Sequence, residues 1–145
     1  MKIGVPKEIK PQENRIGLTP DSVKTLVSEG HEVIVEHNGG FEAGFENEQY
    51  KKAGAKIASN ANDIFNDAEI IVKVKEPQKI EVDMIRENQI VYTYLHLAAA
   101  KELTEGLIKS KSINIAYETV TDDNGRLPLL APMSAVAGRM SVQAG

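Results

Sequence analysis

Cysteine and tryptophan are absent from this chain of 145 residues, and aromatic residues make up only 5% of it. Without cysteine, disulfide bonds and thiolate chemistry are excluded. This absence fits a reducing compartment, and we expect a cytoplasmic protein. The histidines, His31, His37 and His96, do not combine with acidic residues at metal-ligand spacing, so the sequence predicts no metal site.

The chain also lacks a long apolar run and an excess of positive charge. No stretch reaches the roughly 18 apolar residues that a membrane-spanning helix needs, and the first residues, MKIGVPKEIK, lack the apolar core of a signal peptide. Seventeen basic residues stand against 21 acidic ones, which gives a formal net charge of -4. These features argue against a membrane or a nucleic acid as a partner, because phosphate backbones bind concentrated positive charge.

A phosphate-binding glycine fingerprint is missing as well. Gly39, Gly40 and Gly44 follow a predicted strand, but Phe41 and Glu42 interrupt the G-x-G-x-x-G pattern. No predicted helix opens directly from this turn, whereas a dinucleotide site places the pyrophosphate at a helix N-terminus. The residues of this chain therefore predict no cofactor-binding site of their own.

Strand and helix patterns alternate regularly along the chain. A composition of 41% hydrophobic and 26% charged residues is typical of a globular protein, and the length suits one domain, residues 1–145. The predicted strands are 2–5, 31–36, 55–57, 70–74, 90–94 and 113–117, and the predicted helices are 20–29, 47–53, 60–65, 80–85, 101–109 and 133–144. This order predicts an α/β fold, with an open, mostly parallel sheet and helices on both faces, Rossmann-like or flavodoxin-like.

Three basic residues follow predicted strands at the point where each strand ends. Lys75 follows the strand at 70–74, His96 follows the strand at 90–94, and Arg15 lies in the loop after the first strand. In open parallel sheets, ligands bind outside the carboxyl ends of the strands. We therefore expect these three side chains to meet at one edge of the sheet.

Each of these residues also has a simpler interpretation. Arg15 is either a solvated surface charge or a bidentate partner for a carboxylate. Lys75 could form only a local ion pair with Glu76, and Lys73 shares its strand face, so one of the two lysines must lie deeper and lose its proton or find an anion. His96 is either a hydrogen-bonded structural residue or a general acid and base near neutral pH.

Other ionisable residues near the strand ends carry weaker signals. Glu118 follows the strand at 113–117, where it could orient a basic neighbour or remain a solvated carboxylate. His31 and His37 flank the second predicted strand without predicted partners, so we expect them at the surface.

The predicted final helix breaks off at Gly145, with neither a following strand nor a polar tail. Chain ends are normally frayed and polar. We therefore expect these residues to be a fragment of a longer protein.

Five sequence blocks, in this order, resemble the N-terminal substrate domain of bacterial alanine dehydrogenases. The blocks are GVPKEIKPQENRIGLTP, VKVKEP, TYLHLAA, AYETV and LPLLAPMSAVAGR. The similarity runs over essentially all 145 residues. The transhydrogenase alpha chain is similar in its first block, but it resembles this sequence less because it lacks the lysine of KVKEP and the histidine of YLHLA.

The resemblance implies an enzyme that interconverts L-alanine with pyruvate and ammonia using NAD. Arg15 and Lys75 would hold the substrate carboxylate and oxo group, with Lys75 also serving catalysis. His96 would act as acid and base on the carbinolamine, and Met133 would line the pocket.

The resemblance further implies that NAD binds to a separate domain beyond these residues. The family chain then returns to the first domain with an additional helix, and the assembly is a homo-oligomer, usually a hexamer. The isolated chain should accordingly show no measurable turnover. Two alternatives stay open: a non-catalytic module that binds a small oxo acid or a partner domain, and a transhydrogenase-like coupling domain.

Overall fold

The computed structural model describes residues 1–144. The strands are β1 (Lys2–Val5), β2 (Glu32–Glu36), β3 (Lys56–Ala58), β4 (Ile70–Val72), β5 (Ile90–Thr93) and β6 (Ile113–Ala116). The helices are α1 (Pro20–Ser28), α2 (Asn47–Lys52), α3 (Ala61–Asp67), α4 (Lys79–Val82), α5 (Lys101–Ser110) and α6 (Ala131–Ala144). Short 3-10 turns lie at Phe41–Ala43, Leu97–Ala99 and Tyr117–Thr119.

The strands form one sheet in the order β3-β2-β1-β4-β5-β6, and every neighbouring pair is parallel. The chain builds outward from β1 in one direction through β2 and β3, and then in the other through β4, β5 and β6. The strand order therefore reverses between β1 and β4, which is where doubly wound sheets open a crevice for ligands. The predicted open parallel α/β sheet is confirmed.

Local signals explain how the first crossover helix begins and ends. The hydroxyl of Thr19 accepts a hydrogen bond from the backbone N–H of Ser22, and Pro20 occupies the first helical position, where no N–H is needed. Gly30 follows the helix at a φ of 84°, a left-handed conformation that glycine adopts without a steric penalty. The predicted start of this helix is confirmed, and its end at Ser28 lies one residue before the predicted end.

Helices cover both faces of the sheet because alternate strand residues point to opposite sides. On one face, strand side chains pack against α1 and α2; this cluster includes Ile3, Val5, Val23, Val33, Val35 and Tyr50. On the other face they pack against α3 and α5; this cluster includes Ile64, Phe65, Ile71, Val91, Leu95 and Leu107. The two apolar layers hold the strands, and thus their carboxyl ends, in a fixed register.

The edge strand β6 is covered less completely. Ile113 is 49% exposed and Ile115 is 40% exposed, and they pair in register with Ile90 and Tyr92 of β5. These side chains share the face on which α1 and α2 pack, but α1 contacts β2 and α2 contacts β3, on the other side of the sheet. Within residues 1–144, this part of the sheet keeps an exposed apolar surface.

The connection between β4 and β5 differs most from its prediction. β4 ends at Val72, and α4 is only four residues long. Ile80, which the sequence pattern assigns to the apolar stripe of this helix, is 64% exposed. The buried residue of α4 is instead Glu81, because its carboxylate pairs with the buried ammonium of Lys73. The predicted apolar positions Met84 and Ile85 do pack into the core, so the prediction is wrong at Ile80 alone.

Helix α6 lies on the surface along its whole described length. Its residues are all exposed, including Met133, Val136, Met140 and Val142, the positions that the sequence pattern assigns to an apolar side. Among the described helices, none is both long enough and apolar enough to cross a bilayer.

Gly4, in the middle of β1, provides a test of the packing beneath the sheet. A Cβ atom there would lie 2.5 Å from Cγ2 of Ile64 and 2.7 Å from Cβ of Ala68. We expect Gly4→Ala to lower the free energy of unfolding by about 1–3 kcal/mol, as overpacking does in other cores. Urea denaturation followed by circular dichroism measures the change.

Gly138→Ala is the matched control. Apart from the backbone of its own helix and its chain neighbours, no heavy atom lies within 4 Å of the Cβ position of Gly138. This residue sits inside α6, where alanine is the better helix former. This control should leave the protein as stable as the parent or slightly more so. Equal stability of the Gly4→Ala variant and the parent would contradict the packing described for β1.

Candidate active site

Three neighbouring strands bring the predicted site residues to the same edge of the sheet. β1, β4 and β5 are adjacent and parallel, so their carboxyl ends lie side by side. Arg15 lies in the loop that follows β1, Lys75 lies three residues after β4, and His96 lies three residues after β5. The edge at which the three residues lie is therefore the one that the strand pattern predicts.

Arg15 projects from its loop with its side chain 49% exposed, and it is paired with a carboxylate. Its Nε donates to Oε1 of Glu13 at 2.8 Å, and its Nη2 donates to Oε2 at 2.6 Å. This bond with Arg15 lowers the pKa of the Glu13 carboxyl. Among residues 1–144, Nη1 has no protein acceptor, which leaves the far end of the guanidinium able to bind a second carboxylate.

Electrostatic coupling links Arg15 to the neighbouring strand ends. After Arg15 itself, the charge of Lys75 also contributes to the lowered pKa of Glu13. The bond with Glu13 raises the pKa of Arg15, and the nearby Glu8 and Tyr94 add to this effect. The carboxylate of Glu13 is therefore bonded to Arg15 and also feels the charge of Lys75.

The backbone of Lys75 is fixed by side chains on both sides. Oε1 of Glu8 accepts the backbone N–H of Val74 at 2.6 Å and that of Lys75 at 3.4 Å. The carbonyl of Lys75 accepts the hydroxyl of Thr93 at 2.8 Å. Glu8 and Thr93 are both buried, so water does not compete strongly for these bonds.

Lys73, rather than Lys75, is the lysine that lies deeper. It is fully buried, and its ammonium lies 3.0 Å from Oε2 of Glu8 and 2.8 Å from Oε1 of Glu81. Burial raises the pKa of the Glu81 carboxyl, while the charge of Lys73 opposes this rise. We call Glu8, Lys73 and Glu81 the buried triad. The carboxylates of Glu8 and Glu81 supply the negative charge that a buried lysine requires.

His96 adopts a left-handed backbone conformation, with φ at 50° and ψ at 40°. Its backbone N–H donates to Oε1 of Glu118 at 2.7 Å, and the N–H of Leu95 donates to the same oxygen at 3.1 Å. Its ring stacks on Tyr94, with a centroid separation of 6.2 Å and an angle of 17° between the planes. Of the two interpretations of Glu118, the freely solvated carboxylate is therefore excluded.

Three tyrosine rings pack together beside His96. Tyr117 packs edge-on against Tyr92 and Tyr94, with centroid separations of 4.2 and 4.9 Å, and burial raises its pKa. The hydroxyl of Tyr94 donates to the carbonyl of Leu129, which ties the chain before α6 to this edge.

Met133, the fourth predicted site residue, lies in the first turn of α6 and is 37% exposed. It follows Leu129 by four residues, so the bond between Tyr94 and Leu129 brings its segment towards the site. Its place in the pocket stays a prediction.

Sequence reasoning missed the carboxylates of this edge as partners. Glu8, Glu13 and Glu81 each contact a basic residue or the backbone beside one. A weak signal exists for Glu13, two residues before Arg15. No signal exists for Glu8, whose partners lie 65 residues or more along the chain.

The glycine turn after β2 does not fit a dinucleotide. A Cβ on Gly40 would lie 2.7 Å from Oη of Tyr50, so packing accounts for this glycine. The turn continues into the 3-10 segment Phe41–Ala43, and α2 begins only at Asn47. No α-helix therefore opens directly from this turn, as the dinucleotide fingerprint requires.

The fold and this edge define a doubly wound α/β domain whose crevice carries cationic side chains and lacks a dinucleotide fingerprint. A family model described as "Alanine dehydrogenase/PNT, N-terminal domain" matches residues 4–137. The chain belongs to this family.

Curated relatives match along the whole chain. The alanine dehydrogenases of Halomonas elongata and Geobacillus stearothermophilus are each 53% identical over 145 residues, and that of Methanococcus maripaludis is 50% identical. The matches cover 100% of this chain but only 39% of each relative. The chain thus corresponds to the N-terminal part of these longer proteins.

Solved structures agree with this assignment. An L-alanine dehydrogenase structure superposes with a TM-score of 0.95 at 54% identity, covering 100% of this chain and 40% of that one. A transhydrogenase from Sinorhizobium meliloti superposes with a TM-score of 0.76 at 28% identity, covering 81% of this chain and 35% of that one.

Proposed function

We propose that this chain is the substrate-binding part of an NAD-dependent alanine dehydrogenase, which interconverts L-alanine with pyruvate and ammonia. The observation that carries the proposal is the position of Arg15, Lys75 and His96 after three adjacent parallel strands. The identity of 50–53% to alanine dehydrogenases supports the same reaction. A guanidinium, an ammonium and an imidazole together suit a small oxo acid.

Each residue has a separate task in this proposal. The free end of the Arg15 guanidinium binds the substrate carboxylate, while Glu13 holds the other side of the group in place. The ammonium of Lys75 binds the oxo oxygen and stabilises negative charge that develops there. His96 takes a proton from the water that adds to the iminium carbon, and returns a proton to the departing amine. Met133 lines the apolar side.

The glycine turn of this chain does not fit NAD, so on this proposal a separate domain would hold the cofactor. The turn after β2 lacks the glycine pattern of a dinucleotide site, and no α-helix opens directly from it. On this proposal the 145 residues alone show no turnover. We further propose a homo-oligomer in the cytoplasm, which is the arrangement that the family resemblance implies.

The transhydrogenase-like alternative is less well supported. The transhydrogenase structure is 28% identical, against 54% for the L-alanine dehydrogenase structure. Lys75 and His96, which the dehydrogenase reaction requires, are both present at the edge. A non-catalytic module would require neither of them.

A chimeric enzyme tests the proposal. In it, residues 1–145 replace the matching segment of the Geobacillus stearothermophilus alanine dehydrogenase, which is 53% identical. Formation of NADH from NAD and L-alanine, followed by absorbance, is the expected result. A folded chimera that produces no NADH, beside an active parent enzyme, would refute the assignment.

Replacing Arg15 by lysine in this chimera tests carboxylate binding. We expect KM for L-alanine to rise roughly 10- to 100-fold, because lysine keeps the charge but cannot form the paired, planar hydrogen bonds of a guanidinium. Steady-state kinetics measures the change. Arg126→Lys is the matched control and should leave KM unchanged, because Arg126 is exposed and its guanidinium has no hydrogen bond within residues 1–144. An unchanged KM in the Arg15 variant would remove this residue from the binding site.

A further inference from the structure

We infer that Glu8 and Glu118 are a pair of positioning residues, each of which holds the backbone of one working residue at the edge of the sheet. We call them the carboxylate clamps. The carboxylate of Glu8 accepts hydrogen bonds from the backbone of the turn that carries Lys75, and that of Glu118 does the same for the turn that carries His96. The inference rests on the proposed function, in which Lys75 and His96 act on the substrate.

The two clamps share one geometry. In each, a single carboxylate oxygen accepts the N–H of the working residue and the N–H of the residue before it. Oε1 of Glu8 lies 2.6 Å from the nitrogen of Val74 and 3.4 Å from that of Lys75. Oε1 of Glu118 lies 3.1 Å from the nitrogen of Leu95 and 2.7 Å from that of His96. The arrangement thus recurs at two neighbouring strand ends.

The need for these clamps follows from where the strands end. β4 stops at Val72 and β5 at Thr93, and the N–H groups of Lys73 and Tyr94 still donate to the neighbouring strand. Within residues 1–144, the N–H groups of Val74 and Leu95 have no such backbone acceptor. Val74 and Leu95 are buried, and an unpaired N–H at such a site is costly. A carboxylate gives these groups a charge-assisted bond that is stronger than a neutral one.

At His96 the clamp also supports an unfavourable backbone conformation. A residue other than glycine is disfavoured in the left-handed region, and His96 has a φ of 50°. The bonds from Leu95 and His96 to Glu118 hold this turn, and the turn determines the direction in which the imidazole leaves the backbone. Stacking on Tyr94 then fixes the ring.

At Lys75 the clamp is connected to the buried triad. The second oxygen of Glu8 pairs with Lys73, so the carboxylate is itself held by a buried cation. Thr93 binds the carbonyl of Lys75 from the adjacent strand. The backbone of Lys75 is therefore held by hydrogen bonds on both sides, and only its side chain is free to move.

Amide NMR of the 145-residue chain tests the clamps without any assay of activity. A hydrogen bond to a carboxylate moves an amide proton downfield, so Glu118→Ala should move the signals of Leu95 and His96 upfield and increase their hydrogen exchange. Glu118→Gln keeps one acceptor oxygen and should give an intermediate shift. Glu8→Gln should act in the same way on Val74 and Lys75, and it avoids removing the partner of Lys73 altogether.

Glu69→Gln is the matched control. Its carboxylate accepts the backbone N–H of Lys2 at 2.6 Å, which is the same kind of bond at the opposite end of the sheet. This variant should move the Lys2 signal and leave those of Lys75 and His96 in place. Unchanged Leu95 and His96 signals in a folded Glu118→Ala variant would overturn the clamp at His96, and unchanged Val74 and Lys75 signals in Glu8→Gln would overturn the one at Lys75.

Kinetics of the chimeric enzyme then tests positioning. Glu118→Ala should lower kcat roughly 10- to 100-fold with little change in KM, because the bond that it removes orients the proton-transfer group, and Glu118→Gln should recover part of the loss. Glu8→Gln should instead raise KM, since Lys75 binds the substrate. Shifted amide signals with unchanged kinetics would overturn the positioning role. If the proposed function were wrong, the unmodified chimera would be inactive, while the amide signals would still show both clamps.

Discussion

Replacing His96 by asparagine should lower kcat for L-alanine oxidation in the chimeric enzyme by about 10²- to 10⁴-fold, the usual contribution of a general acid and base. Asparagine is the informative substitute because it tolerates the left-handed backbone that His96 adopts, at a φ of 50°, whereas it cannot exchange a proton near neutral pH. NADH formation at saturating alanine measures the change. KM should change far less than kcat.

His37→Asn provides the control for this experiment. His37 follows β2 and is exposed, without a hydrogen bond from its ring within the described chain, so its replacement should leave kcat as it is. Circular dichroism would confirm that both variants are folded. A His96→Asn enzyme that keeps kcat within about threefold of the parent would exclude His96 as the acid and base, since proton transfer contributes far more than that.

Much of the fold could be predicted because its signals are local. The runs Ile70–Val72 and Ile90–Thr93 are rich in β-branched residues, and Thr19 with Pro20 marks the start of α1. Right-handed crossovers between parallel strands then leave few possible topologies. The edge that carries Arg15, Lys75 and His96 follows from this topology alone.

The connection around α4 could not be predicted, because its pattern is set by charge rather than by apolar periodicity. Ile80 points to solvent and Glu81 points inward, which is the reverse of what hydrophobicity indicates. Only the position of Lys73, fully buried and in need of an anion, explains the reversal. The sequence predicts that the deeper lysine is either neutral or paired with an anion. The two carboxylates that pair with Lys73 lie on two distant segments of the chain.

The clamps were beyond sequence reasoning for a similar reason. Glu8 and Glu118 bind backbone N–H groups, which every residue except proline has, so no complementary residue type marks their targets. Their partners lie 66 and 22 residues away along the chain. Such contacts depend on where strands end, and the boundaries of elements are what a sequence predicts least reliably.

Lys73→Met should lower the free energy of unfolding by about 3–5 kcal/mol, the cost of removing one partner from a buried ion pair. Lys73 is fully buried, and its loss leaves the carboxylates of Glu8 and Glu81 facing each other without a cation. Methionine fills similar space, so the loss comes mainly from charge rather than from a cavity. Urea denaturation of the 145-residue chain at neutral pH measures it.

Two further variants separate the charge effect from a general loss of packing. Lys56→Met removes an exposed partner of Glu32, a pair at 2.6 Å, and should change stability little because exposed ion pairs contribute little. Adding Glu81→Gln to Lys73→Met removes one of the two stranded charges and should restore part of the lost stability. A double variant that is less stable than the single one would mean that charge is not the cause.

The loss in Lys73→Met should also shrink as the pH falls. Burial already raises the pKa of Glu81, and Lys73 opposes that rise, so removing Lys73 raises this pKa further. A carboxyl whose pKa is higher in the folded state binds protons better when folded, and its protonation therefore stabilises the fold as the pH drops through that pKa. The variant gains more from this protonation than the parent does. Urea denaturation at about pH 7 and about pH 5 should thus give a smaller difference in stability between variant and parent at the lower pH. A difference that stays constant or grows would show that Glu81 is not charged beside Lys73 at neutral pH.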